Sequence, residues 1–219
     1  MLKQDKLSNQ NKVAIVIGAG DATGSAIAKR FAIEGYTIVA TRRQQAALLP
    51  LVEEIESHGG KVHAFGCDAR DEEAMVNLFK QVEEQIGQID TVIFNIGANV
   101  RFSITETTAR VYRKVWEMAA FSGFLTGREA AKVMLPRRNG TIIFTGATAS
   151  MRGSSGFCAF SGAKFALRSL AQSMARELGP KGIHVVHSII DGAIDTDFIR
   201  ENFPDKYALK EQGGILNPQ

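Results

Sequence analysis

The sequence predicts an α/β fold: a three-layer, doubly wound parallel sheet. Two observations carry this expectation. Short β-branched runs alternate with stretches of helical apolar periodicity from about residue 12 to residue 190, and a glycine-rich turn joins the first run directly to the first helix. Short apolar strands separated by amphipathic helices bury both faces of a sheet through right-handed crossovers.

The elements follow in order. The pattern predicts strands over 13–17, 37–40, 61–65, 91–94, 141–145 and 184–190. Between them it predicts helices over 25–34, 45–57, 72–86, 110–134 and 157–178. Gly35, Gly59-Gly60, Asn139-Gly140 and Gly179-Pro180 mark the connections. After Thr196 the pattern weakens, and residues 197–219 show apolar side chains but no clear strand. The expected organisation is a polar tail over 1–11, one dinucleotide-binding domain over 12–196 and a partial substrate-lid segment over 197–219.

A chain of 219 residues with 45% hydrophobic and 22% charged content supports one sizeable core rather than two domains. The net charge of +3 is spread out, with Arg42-Arg43 and Arg137-Arg138 as the notable pairs, so no nucleic-acid footprint is expected. No apolar run reaches the length of a membrane span, and Cys67 and Cys158 follow no metal or redox spacing. The expectation is a cytoplasmic protein with two free thiols, no metal site, no nucleic-acid partner and no membrane partner.

The turn Gly18-Ala19-Gly20-Asp21-Ala22-Thr23-Gly24 brings backbone N–H groups and a helix N-terminus to one place, which suits a pyrophosphate. Arg42 and Arg43 close the second strand, beside the position of an adenosine ribose. A guanidinium there clamps a 2′-phosphate where an acid would bond the ribose hydroxyls, so NADP(H) is expected over NAD(H).

Together these segments resemble the short-chain dehydrogenase/reductase family, a Rossmann-type fold, from Lys12 to Thr196. The resemblance implies cofactor contacts from Gly18, Gly20, Asp21, Thr23, Gly24, Arg42 and Arg43, with Asp68 of Cys67-Asp68-Ala69 at the adenine amine and Ala69 beside it. It implies Asn95 and Gly97 of Phe94-Asn95-Ile96-Gly97 after the fourth strand, Lys164 on the nicotinamide ribose, and Ile194 and Thr196 near the carboxamide. It also implies a homodimer through the two long helices, and a further strand and helix that are missing here, leaving the sixth strand at the sheet edge.

The catalytic half departs from that pattern. Phe160 of Phe160-Ser161-Gly162-Ala163-Lys164 stands where the family has tyrosine, Ala147 where it has serine, and Ala120 (or Ala119) where it has asparagine. A phenyl ring has no ionisable oxygen, and general acid–base assistance is typically worth about 10²–10⁴ in rate. Thr148, Ser150 and Ser161 are poor acids without activation, whereas Asp191 is a carboxylate after the sixth strand. Two functions follow: an NADP(H)-dependent oxidoreductase with a non-standard or impaired proton-transfer site, or a catalytically silent dinucleotide-binding protein serving as sensor or partner subunit. The substrate would be set by residues 98–104, 149–158 and the tail.

Overall fold

The computed structural model describes residues 12–218; the expected tail, 1–11, lies outside the described residues. Six parallel strands form the sheet: β1 (Val13–Ile17), β2 (Thr37–Arg42), β3 (Lys61–Gly66), β4 (Ile89–Phe94), β5 (Gly140–Ala147) and β6 (Ile183–Ile190). Their order is β3-β2-β1-β4-β5-β6. The order reverses between β1 and β4, and a crevice opens at such a switch point beyond the strands' C-terminal ends.

Every residue of β1 is buried, because its side chains alternate between two covered faces. Val13, Ile15 and Ile17 join one core with Phe94, Phe144 and Leu167. Ala14 and Val16 join the other with Ile38, Leu48 and Ile55. α1 (Thr23–Ile33) and α2 (Leu49–Ser57) cover the second core; α3 (Glu72–Gln85), α5 (Ser122–Met134) and α6 (Cys158–Leu178) cover the first. Among the described residues β6 is an outer strand of the sheet.

Three expectations change. The helix expected over 110–134 is divided into α4 (Ala109–Trp116) and α5 by a π-helical turn, Glu117–Phe121. There the Ser122 amide reaches back to the Glu117 carbonyl, and the Ser122 hydroxyl takes the Met118 carbonyl at 2.5 Å. The helix expected over 45–57 begins as a 3₁₀ turn, Gln45–Leu48, because Pro50 sits in the first turn of α2. The region after Thr196 does contain a strand: β8 (Ile215–Leu216) pairs in parallel with β7 (Ala193–Ile194), around the short helices α7 (Asp197–Asn202) and α8 (Pro204–Tyr207). Two-residue strands are too short to show a period in sequence.

Candidate functional site: a dinucleotide cleft with an apolar far end

The glycine turn is held from three sides. Gly18, at φ +89°, has no room for a side chain, since a methyl group there would lie 2.9 Å from Ile96 Cγ1 and 3.1 Å from the Asn95 carbonyl oxygen. The Gly18 and Ala19 amides donate to the Thr41 carbonyl at 3.2 and 3.0 Å, and Asn95 Nδ2 donates to the Gly18 carbonyl at 3.1 Å. Asn95 thus braces the loop. A methyl group on Gly24 would collide with the Gly18 carbonyl oxygen, so this residue lets α1 seat against the turn.

Gly20 and Gly97 differ: a methyl group on either meets nothing within 4 Å. Ala22 caps α1 without a side-chain hydrogen bond, and the Ser25 and Ala26 amides donate to the Gly20 and Ala22 carbonyls at 2.8 and 3.0 Å, which leaves the Thr23 and Gly24 amides without an intrahelical acceptor. Open space over glycine, free amides and a helix N-terminus fit a pyrophosphate. The cleft above them has a volume of about 330 Å³ and includes Gly18, Gly20, Arg43, Asp68, Gly97 and Met118 in its lining.

At the expected adenosine end the charges are largely paired. Arg42 Nη1 donates to Asp21 Oδ1 at 2.7 Å and to the Ala47 carbonyl at 3.0 Å. Arg42 and Asp21, both expected at the cofactor, are thus paired with each other in this structure. Arg43 carries no ion pair among the described residues. Asp68 is not open either: Arg70 donates to Oδ1 from Nε at 2.9 Å and to Oδ2 from Nη2 at 2.5 Å, and its backbone amide adds a bond at 3.1 Å. Arg70 thereby holds the Asp68 carboxyl below the usual carboxylate range. Ala69 is buried in the core beside it.

At the other end Lys164 is 3% exposed, and its ammonium donates to the carbonyls of Ile96 at 3.2 Å and Thr145 at 2.8 Å. Burial lowers its pKa to about 8. Phe160, one turn before it on α6, packs in an apolar cluster with Ala98, Val115, Ala119, Ala120 and Ala163, and Ala147 lies against this cluster. The four positions read as catalytic from the sequence therefore do converge, and three of them present only carbon. Ile194 lies in β7, and the Thr196 hydroxyl caps α7 by accepting the Ile199 amide at 3.2 Å.

Sequence reasoning missed two pairings and one buried ring. Arg70 lies two residues after Asp68, a spacing at which a guanidinium can fold back; that was the available signal. The Thr148 hydroxyl donates to Asp191 Oδ1 at 2.5 Å, tying the ends of β5 and β6 together. His187 packs against Gly146, its Nε2 buried without a hydrogen-bond partner; burial first, then the charges of Lys164 and Arg168, lower its pKa. Among the described residues no group of three or more His, Cys, Asp or Glu side chains is placed to hold a metal.

Fold and site define a class: dinucleotide-binding α/β proteins whose cleft opens at the β1/β4 switch point. Within it, the short chain dehydrogenase family model matches residues 12–207, and the chain belongs to that family. A short-chain dehydrogenase/reductase of Armillaria gallica is 31% identical over 180 residues, covering 81% of this chain and 69% of that protein. The crystal structure of a short-chain dehydrogenase from Rhodopseudomonas palustris is 51% identical with a TM-score of 0.80, covering 90% of this chain and 92% of that one. A 7α-hydroxysteroid dehydrogenase solved with NADH and 7-oxo glycochenodeoxycholic acid is 28% identical with a TM-score of 0.83, covering 92% of this chain and 78% of that one.

Proposed function

We propose that the chain is an NADP(H)-binding oxidoreductase with a non-standard proton-transfer site. One observation carries the reading: the glycine cradle is built and open, while the position of the proton donor is a phenyl ring buried in an apolar cluster. When bound, the cofactor supplies hydride. The chain's part is to seat it through the Thr23 and Gly24 amides at the start of α1, Arg43 and the Lys164 ammonium, and to keep water from the reacting carbon. The preference for NADP(H) rests on Arg43, whose charge is uncompensated by an ion pair; NADH bound to the related steroid dehydrogenase makes NADH the comparison to run.

Titration with NADPH and NADH, followed by nicotinamide fluorescence, tests this. NADPH is expected to bind the more tightly, and Arg43→Ala to weaken NADPH more than Arg42→Ala while leaving NADH unchanged. If neither nucleotide binds, the reading is wrong.

A second reading, a silent dinucleotide-binding sensor or partner subunit, is favoured by the retraction of Lys164 onto two backbone carbonyls. Tight NADPH binding with no single-turnover hydride transfer across a panel of electrophiles selects it. The proposal includes a cytoplasmic setting, consistent with two unpaired cysteines. It also includes a homodimer. Tyr112, Trp116, Phe124 and Phe165, on α4, α5 and α6, are between 41% and 48% exposed and give those helices an apolar outer face.

A further inference from the structure

This inference rests on the nicotinamide-binding reading and concerns what the same cleft takes as substrate. A ketone needs a proton on oxygen as hydride reaches carbon, because an alkoxide is too basic to leave unprotonated in an apolar site. Phe160, Ala147 and Ala120 offer no hydroxyl for that purpose. At the solvent-exposed border of this wall stands a carboxylate held by one hydrogen bond. Thr148 directly follows Ala147, and its hydroxyl holds Asp191 Oδ1 at 2.5 Å. Ala147 is in register with Ile190, so Thr148 and Asp191 leave β5 and β6 side by side at their C-terminal ends, where ligands of open α/β sheets bind. Asp191 makes no ion pair among the described residues, so its charge is uncompensated.

A carboxylate bordering an apolar, phenyl-faced wall suits an organic cation better than a neutral carbonyl. Of the neighbouring cations, the Lys164 ammonium is turned onto the negative ends of the Ile96 and Thr145 carbonyl dipoles, and the Arg168 guanidinium reaches the Ser150 carbonyl at 3.5 Å. We infer that the substrate class is an iminium, a protonated or N-alkylated imine, whose nitrogen charge pairs with Asp191 while the Phe160 wall holds its hydrocarbon part. The reaction balances without a general acid. Hydride from reduced nicotinamide forms a C–H bond at the iminium carbon, the C=N π pair becomes the nitrogen lone pair, and the positive charge ends on the oxidised nicotinamide. The amine product then takes a proton from water. Loss of the hydroxyls is thereby matched to a substrate that carries its activation with it.

Calorimetry on protein loaded with NADPH tests binding apart from turnover. The probes are N-methyl-tetrahydroisoquinoline, a cation at neutral pH that cannot be reduced by hydride, and isochroman, its neutral ether analogue. The cation is expected to bind roughly tenfold tighter, and Asp191→Asn to remove that preference while NADPH and isochroman binding stay unchanged. Stopped-flow mixing should show NADPH consumed by N-methyl-dihydroisoquinolinium faster with the parent protein than with Asp191→Asn, and no consumption by tetralone. If NADPH binds but the cation is not preferred, or the Asn variant keeps the preference, the iminium assignment is overturned and the cofactor reading stands. If NADPH does not bind, the cofactor reading fails and the assignment falls with it.

Discussion

The Lys164 ammonium nitrogen lies 6.0 Å from the centroid of the Phe160 ring, a cation over the face of an aromatic. Phe160→Tyr would set a phenol beside that ammonium, which favours the phenolate and lowers the phenol pKa. Alone the phenol lacks the serine hydroxyl that the family resemblance leads one to expect at Ala147. Single-turnover NADPH consumption by an activated ketone is expected to rise roughly tenfold in Phe160→Tyr and about 10²–10³-fold with Ala147→Ser added. No gain in the double variant would mean that the cleft does not bring a nicotinamide to residue 160.

Lys164 also governs a pH dependence. Its folded pKa of about 8 lies below the ordinary 10.5, so the buried charge is a penalty, complete below pH 8. Between those two values the unfolded chain binds more protons than the folded one, and stability rises with pH. The penalty is worth roughly 3 kcal/mol, against which Lys164→Met leaves two carbonyls unbonded at about 1 kcal/mol each. Urea denaturation should show the Met variant about 1 kcal/mol more stable at pH 7. That advantage should vanish, then reverse, as the pH is raised towards 10.5; a constant difference would show that the ammonium is not what is being relieved.

Asp68 behaves with the opposite sign. Arg70 depresses its pKa, so the pair stabilises the fold above the unfolded carboxyl's pKa, and the contribution is lost as pH falls through the lower folded value. The Asp68 side chain is 38% exposed, so solvent screening limits the contribution. Arg70→Ala should lower stability at pH 7 by under about 1 kcal/mol and nothing in strong acid. The titration midpoint of the Asp68 carboxyl, followed by carbon NMR, should rise. An unmoved midpoint would mean that the bidentate pair does not persist in solution.

Much of this arrangement was legible beforehand. The sheet could be read because β1, with both faces buried, and the helices beside it obey simple periods, and the Gly18–Gly24 turn falls between them. The convergence of Ala120, Ala147, Phe160 and Lys164 came from motif positions. What escaped were choices of partner. Nothing in the order of residues says that Arg42 folds onto Asp21, 21 positions away, or that Thr148 reaches Asp191 across two strand ends. The π turn at Glu117–Phe121 was equally hidden, since its residues are compatible with an unbroken helix.

The glycine turn yields the sharpest separation of binding from stability. Gly20 in the turn and Gly24 in the first turn of α1 are four residues apart, yet a methyl group meets nothing at Gly20 and strikes backbone at Gly24. Neither has the positive φ that alone would strain alanine. Gly24→Ala must therefore push α1 away from the Gly18 carbonyl. It should destabilise the fold by about 1–3 kcal/mol, the usual cost of overpacking, and lower NADPH affinity only as a consequence. Gly20→Ala should leave the urea midpoint within about 0.5 kcal/mol of the parent, as a substitution into open space does. Its methyl group would enter the cleft that Gly20 lines, where a pyrophosphate must come within hydrogen-bond distance of backbone. NADPH affinity should fall at least about tenfold with stability intact. If Gly20→Ala binds NADPH as the parent does, the pyrophosphate is not seated on this turn, and the open space above Gly20 serves some other purpose.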